Sequence, residues 1–186
     1  RRFMPHFHIP LQSGSDEVLR LMRRHYDTAL FRSKIEHIRH VMPDAFIGVD
    51  LIVGARGETE ELFEESRQFI DSLDISRLHV FTYSERPGTR ALSIGHSVPK
   101  DEKHRRTRLM LAMSERKLHD FSSRFVGTTR PVLLEHPRRG RPMSGFTDNY
   151  LKVEVERRPE LSNMVVPVRL STVTEGGEEM TGEILQ

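Results

Sequence analysis

Side chains able to do chemistry gather in three short segments: His8-Ile-Pro-Leu-Gln-Ser-Gly14, Gly54-Ala-Arg-Gly-Glu-Thr59 and Tyr83-Ser-Glu-Arg-Pro-Gly-Thr89. In the first, Gln12 and Ser13 offer short-range hydrogen bonds to a polar ligand. Gly14 permits close backbone approach ahead of a helix N-terminus, where free N–H groups favour a carboxylate or phosphate. The plainer alternative is a strand-to-helix turn with a capping serine. In the second, Gly54 and Gly57 bracket Ala55 and Arg56, with Glu58 alongside, and suit backbone contact with a nucleoside. Glycine pairs also make ordinary loops, and this spacing matches neither a dinucleotide fingerprint nor a P-loop. In the third, Arg86 is able to clamp a carboxylate and Tyr83 to stack on a ring, unless Pro87-Gly88 is a simple turn. Asp50 stands inside an apolar run, and a carboxylate there needs a partner or a function.

Composition narrows the field. The 186 residues include no cysteine and no tryptophan, which argues against disulfide and zinc-thiolate designs. The ten histidines show no ligand spacing of the usual kind, and His37 and His40 read as helix surface, so no metal site is expected. Linear order suggests no Ser-His-Asp triad. No run of 18 apolar residues is present. Arg1-Arg2-Phe3-Met4 resembles neither a signal peptide nor an initiation site and reads as a cut inside a longer protein, with a cytoplasmic location the default. The net charge is only +2, yet Lys100 to Lys117 holds seven Lys or Arg against three Asp or Glu. Arg138, Arg139 and Arg141 form a second basic cluster. Such patches fit contact with a polyanion, or a solvated helix face.

The elements that must position these segments follow from periodicity. Residues 6–11 read as a strand, Ser15 as an N-cap with Asp16 and Glu17 behind it, and Asp27 or Thr28 as the start of a helix that Pro43 stops. Phe46 to Val53 is a buried strand, Thr59 caps another helix, and Leu78 to Tyr83 is the next strand. This βα alternation predicts a parallel sheet covered by helices, with ligands beyond the carboxyl ends of its strands. A long helix runs from Pro99 to about Phe125 and ends at Gly127.

After that the period changes from 3.6 to 2. Strands are expected at 131–136, 150–155, 164–170 and 181–185, forming a small closed barrel. The fold class is therefore α/β plus a small all-β domain, divided into residues 1–126 and 127–186. Arg138, Arg139 and Arg141 lead into Phe146, Asn149 and Tyr150, a combination suited to looped or single-stranded RNA; Tyr150 is equally able to pack in the core.

Taken together and in order, His8 to Asp16 with Val18 to Tyr26, Val49 to Thr59, and Phe81 to Ala91 resemble the radical SAM methylthiotransferases that modify tRNA or a ribosomal protein. The last 60 residues resemble that family's TRAM domain. The resemblance implies a partial radical SAM TIM-type barrel followed by a five-stranded RNA-binding barrel. It also implies that Gln12, Ser13, Arg24, Gly54, Gly57, Glu58, Tyr83 and Arg86 border S-adenosylmethionine, and that a tRNA anticodon stem-loop is the partner. Leu133-Leu-Glu135 and Gly145 to Tyr150 look most like the branch acting on N6-threonylcarbamoyladenosine at tRNA position 37. Isopentenyladenosine and ribosomal-protein enzymes are the alternatives, and a non-catalytic RNA-binding module is another. The usual Gly-Phe-Pro-Gly-Glu-Thr loop carries Ala55 and Arg56 here. The cysteines that hold the family's two 4Fe-4S clusters would lie upstream of Arg1, so the fragment alone is expected to be inactive.

Overall fold

A computed structural model describes residues 3–137 and 140–185. The chain forms two compact units: Arg1–Phe7, Asp44–Phe46 and Glu115–Gln186 in one, His8–Pro43 and Ile47–Ser114 in the other.

The second unit is built on a three-stranded sheet in the order β1 (His6–Gln12), β2 (Phe46–Val53), β3 (Arg77–Thr82), with β2 and β3 parallel. Between them run α1 (Asp16–Leu21), α2 (Thr28–Val41) and α3 (Glu60–Asp71). The Asp27 carboxylate accepts from the Leu30 N–H at 2.7 Å and Thr59 Oγ1 from the Leu62 N–H at 3.3 Å, so Thr59 caps α3 as expected and Asp27 caps the helix expected to start there. Ser15 departs from expectation. It occupies the cap position, but its hydroxyl donates to Glu65 Oε2 at 2.8 Å instead of accepting from α1. Leu11, Ile47, Val49, Leu51, Phe63, Ile70 and Met110 share one apolar core. The Ser114 hydroxyl of α4 (Lys100–Ser123) accepts from the Leu78 N–H and donates to the Leu78 carbonyl, both at 2.9 Å, satisfying buried backbone.

The first unit holds a closed barrel in the order β4-β5-β6-β8-β7. Its strands are β4 (Thr129–Leu134), β5 (Met143–Thr147), β6 (Lys152–Val155), β7 (Val165–Val173) and β8 (Met180–Ile184). The expected five-stranded architecture is present, with one correction. Residues 143–147 form a strand that was not among those expected from periodicity. Gly145 disguises that strand: a Cβ there would collide with the Leu133 carbonyl across the β4–β5 pairing, so the position demands the weakest strand former.

The last part of α4 belongs to the barrel's compact unit. Leu118 and Phe121 from the last part of α4, with Phe125 and Phe46, join Val132, Leu134, Met143, Val153, Val168 and Leu170 in the barrel's core. About 60 residues bury only a marginal amount of apolar surface, and these aromatic rings add to it. Phe121 is 1% exposed and meets Phe46 and Phe125 edge-on, at 5.6 and 5.1 Å. Phe121→Ala should therefore cost about 3–5 kcal/mol in chemical denaturation of the barrel unit. A loss below about 1 kcal/mol would show that the helix end is dispensable.

Candidate functional site

Beyond the sheet, the second and third polar segments are tied together, and α1, which follows the first, packs on the second. The Tyr83 N–H donates to the Val53 carbonyl at 2.9 Å, tying the third segment to the second. Arg56 reinforces that tie through Glu85 Oε1 at 2.8 Å and the carbonyls of Leu92 and Ile94 at 3.2 and 2.9 Å. The Gly57 N–H donates to the His96 carbonyl at 2.9 Å, and Leu21 at the end of α1 packs where a Gly57 side chain would stand. Arg56, out of place against the usual loop pattern, thus serves as a brace.

Glu58 and Arg106 lie beneath the second segment. The Gly54 N–H and Arg106 Nη1 both donate to Glu58 Oε2, at 2.6 and 2.8 Å, and the two side chains are only 2% and 3% exposed. Arg106 also donates to the Glu58 carbonyl, Glu102 and Glu60. Burial pushes the Glu58 carboxyl above its ordinary range, against the pull of Arg106 and the Gly54 amide. Burial likewise opposes the Arg106 charge, but Glu102 and Glu58 outweigh it. Gly54 has φ +76°, and a Cβ would strike the Lys103 stem, so only glycine fits over this pair.

The eight residues expected at the cofactor are placed unequally. Gln12 ends β1 in the left-handed region, at φ 74°, and is half-buried. Ser13 is fully buried, and its hydroxyl accepts from the Ser15 N–H at 3.2 Å. The Gly14 N–H donates to Ser66 Oγ at 2.8 Å, so that amide is occupied, unlike the free donor anticipated for an anion. Arg24 is exposed just past α1. Gly54, Gly57 and Glu58 shape the loop from below. The Tyr83 ring lies 5.2 Å from Lys103 Nζ, and Arg86 is exposed. Tyr83 and Arg86 line an open groove of about 390 Å³ with Ile52, Phe81, Thr89 and Ala91. Asp50 has its partner: its Oδ1 lies 2.5 Å from His8 Nε2.

In the barrel unit, Arg138 and Arg139 lie outside the described residues. Arg141 is exposed and lines a surface groove with Pro142 and Glu154. Tyr150 is 48% exposed and stacks on His6 at 4.0 Å and Phe146 at 5.0 Å. Asn149 corrects the expectation of an open RNA contact. It is fully buried, accepting from Thr147 Oγ1 at 2.6 Å and donating to the Asp44 carbonyl at 2.9 Å, so its amide fixes the turn before β6. The Thr-Asp-Asn spacing of a tight turn was the available signal. Among the described residues, no group of three or more His, Cys, Asp or Glu is arranged to hold a metal ion, and no helix is long and apolar enough to cross a membrane.

Residues 2–70, from the approach to β1 through most of α3, match the Radical SAM superfamily. The chain is 32% identical over 173 residues to the threonylcarbamoyladenosine tRNA methylthiotransferase MtaB of Bacillus subtilis, covering 91% of this chain and 38% of that protein. The chain carries a radical SAM region homologous to the tRNA methylthiotransferases. A tRNA-2-methylthio-N(6)-dimethylallyladenosine synthase of Thermobifida fusca is 41% identical over 131 residues, 70% of this chain and 26% of that protein. One from Xylella fastidiosa is 34% identical over 168 residues, 89% and 34%. The methylthiotransferase-like chain therefore spans between about a quarter and two fifths of these relatives. Coproporphyrinogen III oxidase (HemN) from Escherichia coli, a radical SAM enzyme, superposes with a TM-score of 0.52 at 16% identity, over 98% of this chain and 46% of that one. That likeness shows the fold: a radical-SAM-like α/β region, here joined to a closed barrel of TRAM-like form.

The buried pair makes two measurable predictions. Arg106→Met leaves a buried carboxylate unpaired and should cost about 3–5 kcal/mol in stability, whereas adding Glu58→Gln should restore much of it. Arg105 and Arg106 hold the Glu102 carboxyl at about 2, below its ordinary 4.5. A depressed carboxylate stabilises the fold above its unfolded pKa and stops doing so as pH falls through its folded one. Amide exchange at Gly54 and Gly57 should accordingly accelerate as pH drops from 4.5 towards 2, beyond the intrinsic pH dependence of exchange; unchanged protection would contradict the network's role.

Proposed function

We propose that this chain supplies cofactor-pocket walls and an RNA-binding barrel to a radical SAM enzyme that methylthiolates N6-threonylcarbamoyladenosine at tRNA position 37. The observation that carries the proposal is that three motif segments lie along neighbouring strands of one sheet and the loops that follow them, on the same chain as a five-stranded barrel. The Bacillus subtilis relative, aligned over 91% of the chain, supports the threonylcarbamoyl branch. The higher 41% identity to the Thermobifida fusca synthase favours a dimethylallyladenosine substrate as the second reading.

In this proposal Gln12, Arg24, Tyr83 and Arg86 face S-adenosylmethionine, while Ser13, Gly54, Gly57 and Glu58 hold the backbone around it. The glycine-shaped loop suits a nucleoside with a charged tail. Bound there, the cofactor would supply radical chemistry; the protein's part is to bind, orient and exclude water. A chain without cysteine offers no thiolates for 4Fe-4S clusters, so their ligands are proposed to belong to other parts of the complete protein.

Arg138, Arg139 and Arg141, with the Phe146–Tyr150 ring pair, are proposed to meet the anticodon stem-loop. Arg141→Ala should weaken binding of that RNA and lower the slope of log affinity against log salt by about 1. An unchanged slope would remove Arg141 from the surface. The activity itself is tested with the complete protein, reconstituted anaerobically and given tRNA containing N6-threonylcarbamoyladenosine. Mass spectrometry should detect the 2-methylthio nucleoside; its formation only from dimethylallyladenosine tRNA would establish the second reading, and no product from either would refute both.

A further inference from the structure

The face of the three-stranded sheet turned away from its helices carries a polar row. Along β2, Ile47, Val49, Leu51 and Val53 are buried against helices, so alternation turns Gly48, Asp50 and Ile52 to the other face. The pairing of Asp50 with His79 and of Ile52 with Phe81 sets two successive rows across the sheet. One is polar. His8 Nε2 lies 2.5 Å from Asp50 Oδ1, and the His8 and His79 rings are 4.7 Å apart. The next is apolar, with Ile52 and a 55% exposed Phe81 flooring the groove of about 390 Å³.

Residues two apart on a strand are separated by about 6.6 Å, so a planar ring laid over Ile52 and Phe81 would carry an edge substituent to the polar row. That row is accessible, since the His8 side chain is 52% and the Asp50 side chain 22% exposed. Asp50 fixes His8 through Nε2 and leaves Nδ1 to an outside partner. Burial, reinforced by the neighbouring His8 and Arg77 against the pull of Asp50, lowers the His79 pKa. Its ring is neutral near pH 7 and offers one donor and one acceptor.

Resting on the proposed base-modifying activity, we infer that the His8–Asp50–His79 row is its specificity determinant, recognising a hydrogen-bonding, urea-type substituent on the target base in preference to a hydrocarbon one. A carbamoyl group presents N–H and C=O to an imidazole and a carboxylate. A dimethylallyl chain would strip water from the same groups and return no hydrogen bond, which is the arrangement that discriminates most strongly between similar ligands.

The complete protein, without S-adenosylmethionine, would be titrated with three anticodon stem-loop RNAs that differ at one base: adenosine, N6-threonylcarbamoyladenosine and N6-dimethylallyladenosine. Wild type should bind the threonylcarbamoyl RNA at least about tenfold more tightly than the dimethylallyl RNA. Asp50→Asn and His79→Phe should each shrink that ratio to about threefold or less, and leave affinity for the adenosine RNA unchanged. His8→Gln is a third variant, and the adenosine RNA reports on folding in all three. A preference for the dimethylallyl RNA, or a preference that survives in every variant, overturns the inference. If the ratio behaves as expected but none of the RNAs becomes methylthiolated when S-adenosylmethionine is added, the row stands and the proposed activity falls. Methylthiolation with a ratio that no variant alters means the reverse: the activity stands and the row falls.

Discussion

A carboxylate and a guanidinium withdrawn from water hold the centre of the candidate site. Glu58 and Arg106 are each almost completely buried, and the Gly54 N–H, the Gly57 turn and the first turn of α3 are arranged around them. An apolar pair of similar volume would often be as stable in such a place. What an apolar pair does not provide is direction. The carboxylate fixes the Gly54 amide, and the guanidinium fixes the Glu58 carbonyl and the start of α3, so the loop has one shape before any ligand arrives. Arg56 then couples that loop to the Tyr83–Thr89 segment. Preorganisation of this sort lets a site spend little of its binding energy on ordering itself.

The barrel unit uses different means. Its apolar interior is continued by Leu118, Phe121 and Phe125, while its polar surface is organised by charges in contact. Arg130 pairs with Asp148 at 2.8 Å and Asp44 at 3.0 Å, and Lys152 pairs with Glu179. The buried Asn149 ties the turn to the Asp44 carbonyl and leaves Tyr150 stacked on His6 and Phe146. The proposed RNA contact rests on these stacked rings and the exposed Arg141 of a closed small barrel.

Much of this was legible in the residues. Asp27 and Thr59 announced their helices because a cap is a local device, and β2 announced itself through a run dense in β-branched and aromatic residues. Ser15 misled because its hydroxyl answers a glutamate 50 positions away, which no local pattern records. β5 was hidden by Gly145, whose presence is dictated by a neighbouring strand's carbonyl. The site showed the same division. Gln12, Gly54 and Tyr83 stood out by type and spacing, and Asp50 by being a carboxylate in an apolar run. Arg106 and His79 did not, because one looked like part of a solvated basic stripe and the other like an ordinary strand residue. Their roles come from partners 48 and 29 positions away, Glu58 and the Asp50 beside which β3 places His79.

The central proposal is that this chain belongs to machinery that methylthiolates a modified adenosine in tRNA. Its most direct test is nucleoside mass spectrometry of total tRNA from the source organism with the gene deleted. We predict that 2-methylthio-N6-threonylcarbamoyladenosine disappears, that its N6-threonylcarbamoyladenosine precursor accumulates, and that the intact gene restores the product. An unchanged nucleoside profile, or loss of a methylthio group from a different base, would contradict the claim.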